Sequence, residues 1–240
     1  MTDLNDPSLV ANEYANETRL AVRRRAWREF AEGPNSDEWT FEAIAELHPR
    51  TALEIGCGWG ELAARVTSET DIDVTAFDLS ERMARLAGER GVRVAVADAQ
   101  ALPFRDRAFD LAWANAVLYH VQDLDRGLAE AARVIADDGA FVATTFDAGR
   151  FPELFALVRV EPPEIPFRAD NGEAILRRHF ADVETRAGTH ALVFPNADEV
   201  RAYLEATITM RHLAHTVQPF EGPLRTDRRF AVFVCGKPIR

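Results

Sequence analysis

The sequence predicts an α/β fold in which helices cover both faces of a doubly wound, mostly parallel sheet. Between residues 51 and 145, short apolar runs alternate with segments of helical periodicity, a pattern typical of parallel strands joined by crossover helices. A glycine-rich turn, Gly56, Gly58 and Gly60, joins the first of these strands to the first helix. Polar residues end the following strands, and the carboxyl ends of parallel strands form the edge at which such sheets bind ligands.

The composition indicates one compact domain without affinity for polyanions. The chain has 240 residues, of which 47% are hydrophobic, so it can bury a sizeable core. The net charge of -11 argues against a nucleic-acid or anionic-membrane partner, because such partners require clustered basic surface. The cysteines Cys57 and Cys235 do not suggest a disulfide framework, and no leader or long apolar run is evident. We therefore expect a cytoplasmic protein, with both a monomer and a homodimer open.

Two helices are predicted ahead of the alternating region, and we assign residues 1–49 to an N-terminal helical cap. The helices fall between Ser8 and Leu47 and are joined by a turn at Gly33–Ser36. The run Arg23–Arg25 on the first helix has two interpretations. It is either a solvated helix face or a contact with a cofactor carboxylate or an acidic acceptor.

Residues 50–240 are assigned to the main, ligand-binding domain, and the whole chain is expected to form a single unit. Two insertions, residues 146–171 and 196–226, are expected to cover the acceptor site. Beyond the first strands, three helical segments are predicted at Leu124–Ala136, Gly172–His179 and Asp198–His215. Three strands are predicted at Ala140–Thr145, Val183–Ala187 and Phe230–Cys235.

The acidic residues around the glycine turn favour a cationic ligand. The usual dinucleotide loop has the spacing G-x-G-x-x-G and holds a diphosphate at the amino end of the next helix. Here the spacing is G-x-G-x-G, Glu61 occupies the position of the third glycine, and Glu54 lies within the preceding strand. A carboxylate at that point repels a diphosphate, whereas S-adenosylmethionine carries a sulfonium, an ammonium and no phosphate. The turn therefore favours S-adenosylmethionine over NAD.

Further candidate ligand-binding residues follow the second, third and fourth strands of the alternating region. Asp78 lies about 20 residues beyond the loop, where a carboxylate that binds ribose hydroxyls is expected. Two interpretations of Met83 stay open, a cover for the adenine together with Leu79 or an ordinary core residue. Asn115 ends the fourth strand, where it contacts either the methionine moiety or only the backbone. The third strand ends in residues suited to the adenine amino edge: Asp98, Ala99 and Gln100.

Taken together, these motifs resemble the class I S-adenosylmethionine-dependent methyltransferases, in particular their small-molecule branch. The resemblance covers Thr51–Thr145 and rests on five short motifs: Leu53–Gly60, Asp78, Asp98–Phe104, Phe109–Asp110 and Leu118–His120. It implies a Rossmann-like, mostly parallel sheet of seven strands, with Phe230–Cys235 as an antiparallel last strand. The chain departs from the family at Trp59, where a small residue is more frequent, and at Asp137–Ala140, where a Pro-Gly-Gly turn is usual.

The resemblance also implies roles for individual residues. Asp78 is expected at the ribose hydroxyls, and Asp98 and Ala99 at the adenine. Tyr14 resembles an N-terminal tyrosine that closes over the cofactor in some relatives, with surface packing as its alternative. The methionine end of the cofactor is expected to contact the acid of the first strand and the loop backbone: Glu54, Gly56, Cys57 and Gly58.

The expected reaction is an in-line displacement that moves a methyl group from the sulfonium and leaves S-adenosylhomocysteine. The protein then mainly aligns the acceptor and excludes water. An acceptor that loses a proton needs a base, and His120 is the candidate, with local packing as its alternative role. We expect no metal and a small, partly apolar organic acceptor, methylated on O, N, C or S. Its pocket is predicted to draw on large side chains of the cap and insertions: Trp27, Phe146, Phe151, Phe155, Phe167, Phe194, Tyr203, Met210 and Phe220.

Three alternative functions stay open at this point. One is an S-adenosylmethionine-dependent cyclase or aminopropyl transferase, for which the unusual loop at Trp59 leaves room. Another is an NAD-dependent dehydrogenase, which Glu61 opposes. The third is a non-catalytic protein that binds S-adenosylmethionine. A nucleic-acid methyltransferase is disfavoured, because the Asn/Asp-Pro-Pro-aromatic motif is missing from the segment that begins at Asn115.

Overall fold

The computed structural model describes residues 5–147, 151–161 and 164–240. The strands within these residues, numbered along the chain, are β1 (Ala31–Glu32), β2 (Thr51–Ile55), β3 (Asp73–Asp78), β4 (Arg93–Val96), β5 (Phe109–Asn115), β6 (Ile135–Phe146), β7 (Phe180–Phe194) and β8 (Leu224–Pro238). All of them belong to one sheet, in the order β1-β7-β8-β6-β5-β2-β3-β4.

Helices cover the two faces of this sheet. The α-helices of the described residues are α1 (Pro7–Glu13), α2 (Thr18–Phe30), α3 (Ser36–Glu46), α4 (Glu61–Glu69), α5 (Glu81–Glu89), α6 (Leu124–Val134), α7 (Pro152–Val158), α8 (Gly172–Leu176) and α9 (Ala197–Glu205). Two 3-10 turns, Leu118–His120 and Arg211–Thr216, lie after β5 and after α9.

The parallel half of the sheet confirms the predicted doubly wound architecture. β4, β3, β2, β5 and β6 run parallel to one another. Because helices cover both faces, strand side chains such as Leu53 and Trp113 are completely buried. Leu53 packs in a cluster with Leu128 of α6, whereas Trp113 packs on the other face with Ile44 of α3. The carboxyl ends of these strands are thereby held in one row.

The other half of the sheet is antiparallel, as the prediction for the last strand requires. β8 lies between β6 and β7 and runs antiparallel to both. The predicted strand Val183–Ala187 is too short, because β7 pairs with β8 continuously from Phe180 to Phe194. Gly188 pairs with Phe230 within this strand, and there is no room for a side chain because a Cβ atom there would lie 2.5 Å from the Phe230 ring.

The sheet has eight strands among the described residues, where seven were predicted. The additional strand is β1, in which Ala31 pairs with Leu192 and Glu32 with Ala191 of β7. A strand of two exposed residues is too short to show a periodic pattern. Ala31 and Glu32 are extended because they pair with the edge of β7. The strand therefore has no signal in the sequence.

The described part of the cap, from residue 5 onward, contains three helices where two were predicted. α1 ends at Glu13, and the turn that follows is closed by Asn16, whose side-chain oxygen accepts a hydrogen bond from the Thr18 amide at 3.1 Å. Of the predicted cap and insertions, residues 1–4, 148–150 and 162–163 lie outside the described residues. The described parts of the insertions contain α7, α9 and the 3-10 turn Arg211–Thr216.

Candidate functional site

A cavity of about 630 Å³ opens at the carboxyl ends of β2, β3 and β5, beneath the cap. Most of the residues that the sequence singled out line it: Tyr14, Glu54, Gly56, Cys57, Gly58, Asp78, Leu79, Asp98, Ala99, Gln100, Asn115 and His120. Met83 is the exception, because it is fully buried on α5 and does not line the cavity. Its placement favours the interpretation as a core residue.

Side chains of neighbouring elements lie close to two of the three glycines in the turn, and the remaining glycine faces the cavity. Gly56 has a φ of +67°, and a Cβ atom there would lie 2.3 Å from Cγ2 of Val117. Gly60 has a φ of +79°, and its Cβ would lie 2.7 Å from Cβ of Ala87 on α5. Gly58 faces the cavity instead, where only a Leu20 methyl at 3.9 Å would be within reach. The turn is therefore fixed at its ends and open to a ligand in its middle.

Asp78, the last residue of β3, is joined to this turn. Its Oδ2 accepts a hydrogen bond from the Gly58 amide at 2.8 Å, and its Oδ1 accepts one from the Ser80 amide at 2.9 Å. Burial raises the pKa of the Asp78 carboxyl, although these backbone donors oppose the shift. Leu79 follows with 54% of its surface exposed, an unusual apolar surface at the cavity rim.

Asp98 and Gln100 form a second polar cluster at the same edge. The backbone amide and side-chain amide of Gln100 both donate to Asp98, at 2.9 and 3.0 Å to Oδ1. Oε1 of Gln100 in turn accepts a hydrogen bond from the Asp123 amide at 2.9 Å. The carboxylate is therefore held in place by its neighbours along the cavity wall.

Glu54 is the most unusual titratable group of the cavity. Its residue surface is only 3% exposed, and its Oε2 has no hydrogen-bond partner among the described residues. Burial raises the pKa of Glu54 to about 8, while the Trp113 side chain, the Ala63 backbone and, more weakly, the guanidinium of Arg24 oppose the shift. A buried carboxylate oxygen without a donor suits a ligand that brings a cation, so the residues fit the ammonium and sulfonium groups of S-adenosylmethionine.

Arg24, which belongs to the arginine run of the sequence, and Asp37, which the sequence did not identify, stand beside Glu54. Oδ2 of Asp37 accepts a hydrogen bond from Arg24 at 2.6 Å, and its Oδ1 accepts one from Asn115 at 2.9 Å. Arg24 also lies 3.2 Å from Glu61. Although burial opposes it, the Arg24 guanidinium and the Asn115 amide hold the pKa of Asp37 below its ordinary value. The arginine run was a signal for Arg24, but nothing in the sequence selected Asp37.

Tyr14 and His120 meet across the cavity. The Tyr14 hydroxyl lies 3.1 Å from Nε2 of His120, and the rings are nearly perpendicular with centroids 5.6 Å apart. Burial raises the pKa of Tyr14, so the phenol stays protonated and can donate this hydrogen bond. The Tyr14 carbonyl accepts a second one from the Ser80 hydroxyl at 2.7 Å. These contacts hold α1 over the cavity.

Comparison with known proteins now adds to this geometry. Residues 53–143 match a family described as "Methyltransferase domain". A malonyl-[acyl-carrier protein] O-methyltransferase of Geobacter sulfurreducens is 38% identical over 198 residues, which are 76% of this chain and 73% of that protein. The chain belongs to the class I S-adenosylmethionine-dependent methyltransferases. Its cofactor is therefore S-adenosylmethionine, as the glycine turn predicted.

Other similarities are more distant or cover less of this methyltransferase. A 27-O-demethylrifamycin SV methyltransferase of Amycolatopsis mediterranei is 35% identical over 102 residues, 39% of this chain and 38% of that protein. Among solved structures, the [4+2]-cyclase SpnF superposes with a TM-score of 0.62 at 20% identity, over 96% of both chains. A methyltransferase from Thermotoga maritima gives a TM-score of 0.57 at 22% identity, over 94% and 95% of the two chains. The two structures establish the fold alone.

Aromatic and apolar side chains form the wall of the methyltransferase cavity away from the glycine turn. The predicted residues that line it are Trp27, Phe146, Phe151, Tyr203 and Met210. The remaining predicted aromatics do not line it, and most of them pack in the core: Phe155, Phe167, Phe194 and Phe220. Two polar residues that the sequence did not select as acceptor-site residues, His190 and Arg228, lie on this wall.

A cluster of four charged residues, the buried Glu13 with Arg19, Arg23 and Arg211, joins the segments that lie over the cavity. The Glu13 side chain is 1% exposed and accepts hydrogen bonds from Arg19 at 3.3 Å, from Arg211 at 2.6 Å and from Arg23. Arg23 also donates to the carbonyl of Ala206, beyond α9. Glu13 therefore ties α1 to both α2 and the segment after α9.

The described residues show neither a metal-binding cluster nor a membrane-spanning helix. They contain no group of three or more His, Cys, Asp or Glu side chains arranged to hold a metal ion. Within the same ranges, no helix combines the length and the apolar character needed to cross a membrane. Cys57, which burial leaves with a raised thiol pKa, is not poised as a nucleophile.

Proposed function

We propose that this methyltransferase methylates a small, partly apolar organic acceptor. The observation that carries the proposal is one continuous cavity, which runs from the glycine turn and Glu54 to the aromatic wall of Trp27, Phe146 and Phe151. Such a cavity accommodates a donor and an acceptor side by side, with the acceptor held between rings. The cap and the segment after α9 exclude water from the junction.

The methionine end of the cofactor is assigned to the group around β2. The ammonium is placed against Glu54, whose Oε2 has no other partner among the described residues. Arg24 supplies a cation for the carboxylate, since its guanidinium lines the same part of the cavity. The open face of Gly58 provides the space for the chain between them.

The nucleoside end is assigned to the next two strands. Asp78 is placed at the ribose hydroxyls, because Gly58 and Ser80 fix its two oxygens at the strand end. Asp98, Ala99 and Gln100 are placed at the adenine edge. The exposed Leu79 side chain is placed over one face of the adenine.

When bound, S-adenosylmethionine supplies an electrophilic methyl group, so the residues of this chain contribute alignment and exclusion of water. The Tyr14 hydroxyl and Nε2 of His120 share a hydrogen bond, which the phenol donates when Nε2 carries no proton. That nitrogen is then not available to remove a proton from the acceptor. The geometry favours a role of the pair in closing the site over a role of His120 as base through Nε2.

A second candidate acceptor is a malonyl group carried by a protein. The Geobacter sulfurreducens relative bears that activity in its name, and the similarity extends over 73% of its length. A carboxylate acceptor needs no base, which agrees with the engagement of His120 by Tyr14. The malonyl thioester of an acyl-carrier protein is therefore included in the acceptor screen below.

The first experiment is calorimetric titration of the purified protein with S-adenosylmethionine, S-adenosylhomocysteine and NAD. We expect binding of both sulfur nucleotides and none of NAD. The acceptor screen follows, with S-adenosylhomocysteine and methylthioadenosine measured as products. S-adenosylhomocysteine formation supports methyl transfer, methylthioadenosine indicates an aminopropyl transferase, and acceptor conversion without donor consumption indicates a cyclase. Cofactor binding without turnover of any acceptor would indicate a non-catalytic protein.

A further inference from the structure

His190 and Arg228 form a cross-strand pair at the aromatic end of the cavity. They are register partners on β7 and β8, so their side chains share one face of the sheet. His190 lines the cavity although only 5% of its surface is exposed. Its ring lies between Trp27, at a centroid distance of 4.4 Å, and Phe230, at 5.0 Å. The Arg228 guanidinium stands 4.9 Å from the Trp27 ring and also covers Phe146.

The hydrogen bonding of His190 defines its tautomer. The Pro34 backbone is the hydrogen-bonding neighbour of the imidazole, and because proline has a carbonyl but no amide hydrogen, this contact favours the ring as the donor. Nε2 has no partner among the described residues, which leaves Nδ1 as the donating atom. Burial and the neighbouring Arg228 lower the pKa of His190 to about 3. The ring is therefore neutral near pH 7, with a bare lone pair on Nε2.

We propose that Nε2 of His190 is a recognition site for the methyl acceptor, and that it accepts a hydrogen bond from a hydroxyl or N–H group of that molecule. The inference rests on the proposed function and narrows its acceptor class to aromatic or apolar molecules that carry a hydrogen-bond donor. A buried acceptor atom without a donor is unfavourable, and an acceptor molecule that supplies the donor removes this penalty.

Recognition by His190 is distinct from catalysis. A neutral ring with a low pKa is a weak base near pH 7, so it selects a donor group rather than removes its proton. The adjacent rings of Trp27 and Phe146 hold the apolar body of the same molecule. Molecules that lack the donor leave Nε2 unsatisfied and bind less tightly.

Four small probes test this site directly: phenol, aniline, anisole and N,N-dimethylaniline. Protein labelled with ¹⁵N-histidine is titrated with each, with and without S-adenosylhomocysteine, and the His190 nitrogens are followed by NMR. We expect the Nδ1–H tautomer, a shift of Nε2 with phenol or aniline, and about tenfold weaker binding of the methylated counterparts. Phenol against aniline distinguishes a hydroxyl from an N–H donor.

Two variants complete the test. His190→Phe keeps a ring between Trp27 and Phe230 but removes the acceptor atom, whereas His190→Gln retains an acceptor oxygen. The Phe variant should lose the preference for phenol over anisole, and the Gln variant should keep part of it. A protonated Nε2, equal binding of phenol and anisole to the native protein, absence of phenol binding, or a preference that survives in His190→Phe overturns the proposal.

A negative result for cofactor binding can be told apart from a negative result for the His190 site. Failure of S-adenosylhomocysteine to bind contradicts the proposed function, but it leaves the His190 titrations without nucleotide interpretable. Thermal unfolding of both variants establishes that they are folded before their probe affinities are compared.

Discussion

The hydroxyl of Tyr14 lies 3.1 Å from Nε2 of His120, which joins the helix that begins the described chain to the turn that follows β5. The neighbouring residue Glu13 is held by arginines of α2 and of the segment after α9. Ser80, which caps α5 beside Asp78, donates to the Tyr14 carbonyl. Glu13 and Tyr14, which are adjacent at the end of α1, thus join this helix to α2 and the segment after α9, and also to Ser80 and His120.

Replacement of Tyr14 by phenylalanine tests the contact with His120. The ring stays, so packing is preserved, but the donor to Nε2 is lost, and α1 should open more often. We expect kcat/KM to fall about 2- to 10-fold, the range for one hydrogen bond. Initial rates measure the effect, and His179→Gln, a histidine that contacts Asp125 instead, is the control. Unchanged kinetics of the phenylalanine variant would contradict a closing role.

Replacement of Glu13 by glutamine tests the ion pairs of this buried side chain with the three arginines. The three arginines would lose a buried counter-charge, and we expect the free energy of unfolding to fall by about 3 kcal/mol. Urea unfolding measures the change. Glu17→Gln is the matched control, because Glu17 also pairs with an arginine, Arg82, but on the surface, where little change is expected. Equal effects of the two substitutions would show that Glu13 contributes no more than a surface pair.

Asp78 and Asp73 are the last and first residues of β3 and form a matched pair. Asp78→Asn weakens the acceptor of the Gly58 and Ser80 amides and removes the charge assigned to the ribose. We expect the affinity for S-adenosylmethionine to fall about 10- to 100-fold, because charge-assisted hydrogen bonds are lost. Asp73→Asn, at the opposite end of the same strand, should leave the affinity unchanged. Calorimetry decides, and equal affinities of the two variants would remove Asp78 from the site.

The affinity for S-adenosylmethionine should depend on pH through Glu54. The cationic ligand binds the ionised carboxylate, but the pKa of Glu54 is about 8 in the ligand-free protein, so the group must lose a proton on binding. Affinity should therefore rise as pH increases from about 6 to 8, by at most about tenfold per unit. Calorimetry across this range measures the slope. In Glu54→Gln the slope should vanish and the affinity should be lower; a slope that persists would assign it elsewhere.

The same group has an opposite effect on folding. Because the Glu54 pKa is about 8 in the folded protein and ordinarily 4.5, the unfolded chain releases this proton first as pH rises. The free energy of unfolding therefore falls as pH rises from about 4.5 to 8, because over this range the folded protein holds the Glu54 proton and the unfolded chain does not. We expect Glu54→Gln to be more stable than the native protein near pH 8, with a smaller difference near pH 5. Thermal unfolding at both pH values, with the exposed Glu42→Gln as control, measures this.

The parallel core and its ligand-binding edge follow from local features of the amino-acid sequence. Strands such as β2 and β5 are mostly apolar, and the polar residues at their carboxyl ends directly follow the apolar positions in the sequence. Parallel order then brings Glu54, Asp78 and Asp98 to one edge without further information. The glycines could be interpreted for the same reason, since their backbone geometry is a local requirement.

Contacts between segments far apart in the chain are visible only in the folded protein. β1 exists because an edge of β7 is available, and Asp37 reaches the cofactor edge because α3 packs against β5 and β6. For Met83, the sequence left open a contact with the adenine or a place in the core, and the packing of α5 buries it in the core. His190 became a site residue only through its pairing with Arg228 and its stacking on Trp27. Such contacts join residues far apart in the chain, so their energies depend on the assembled fold and leave no periodic or local pattern in the sequence.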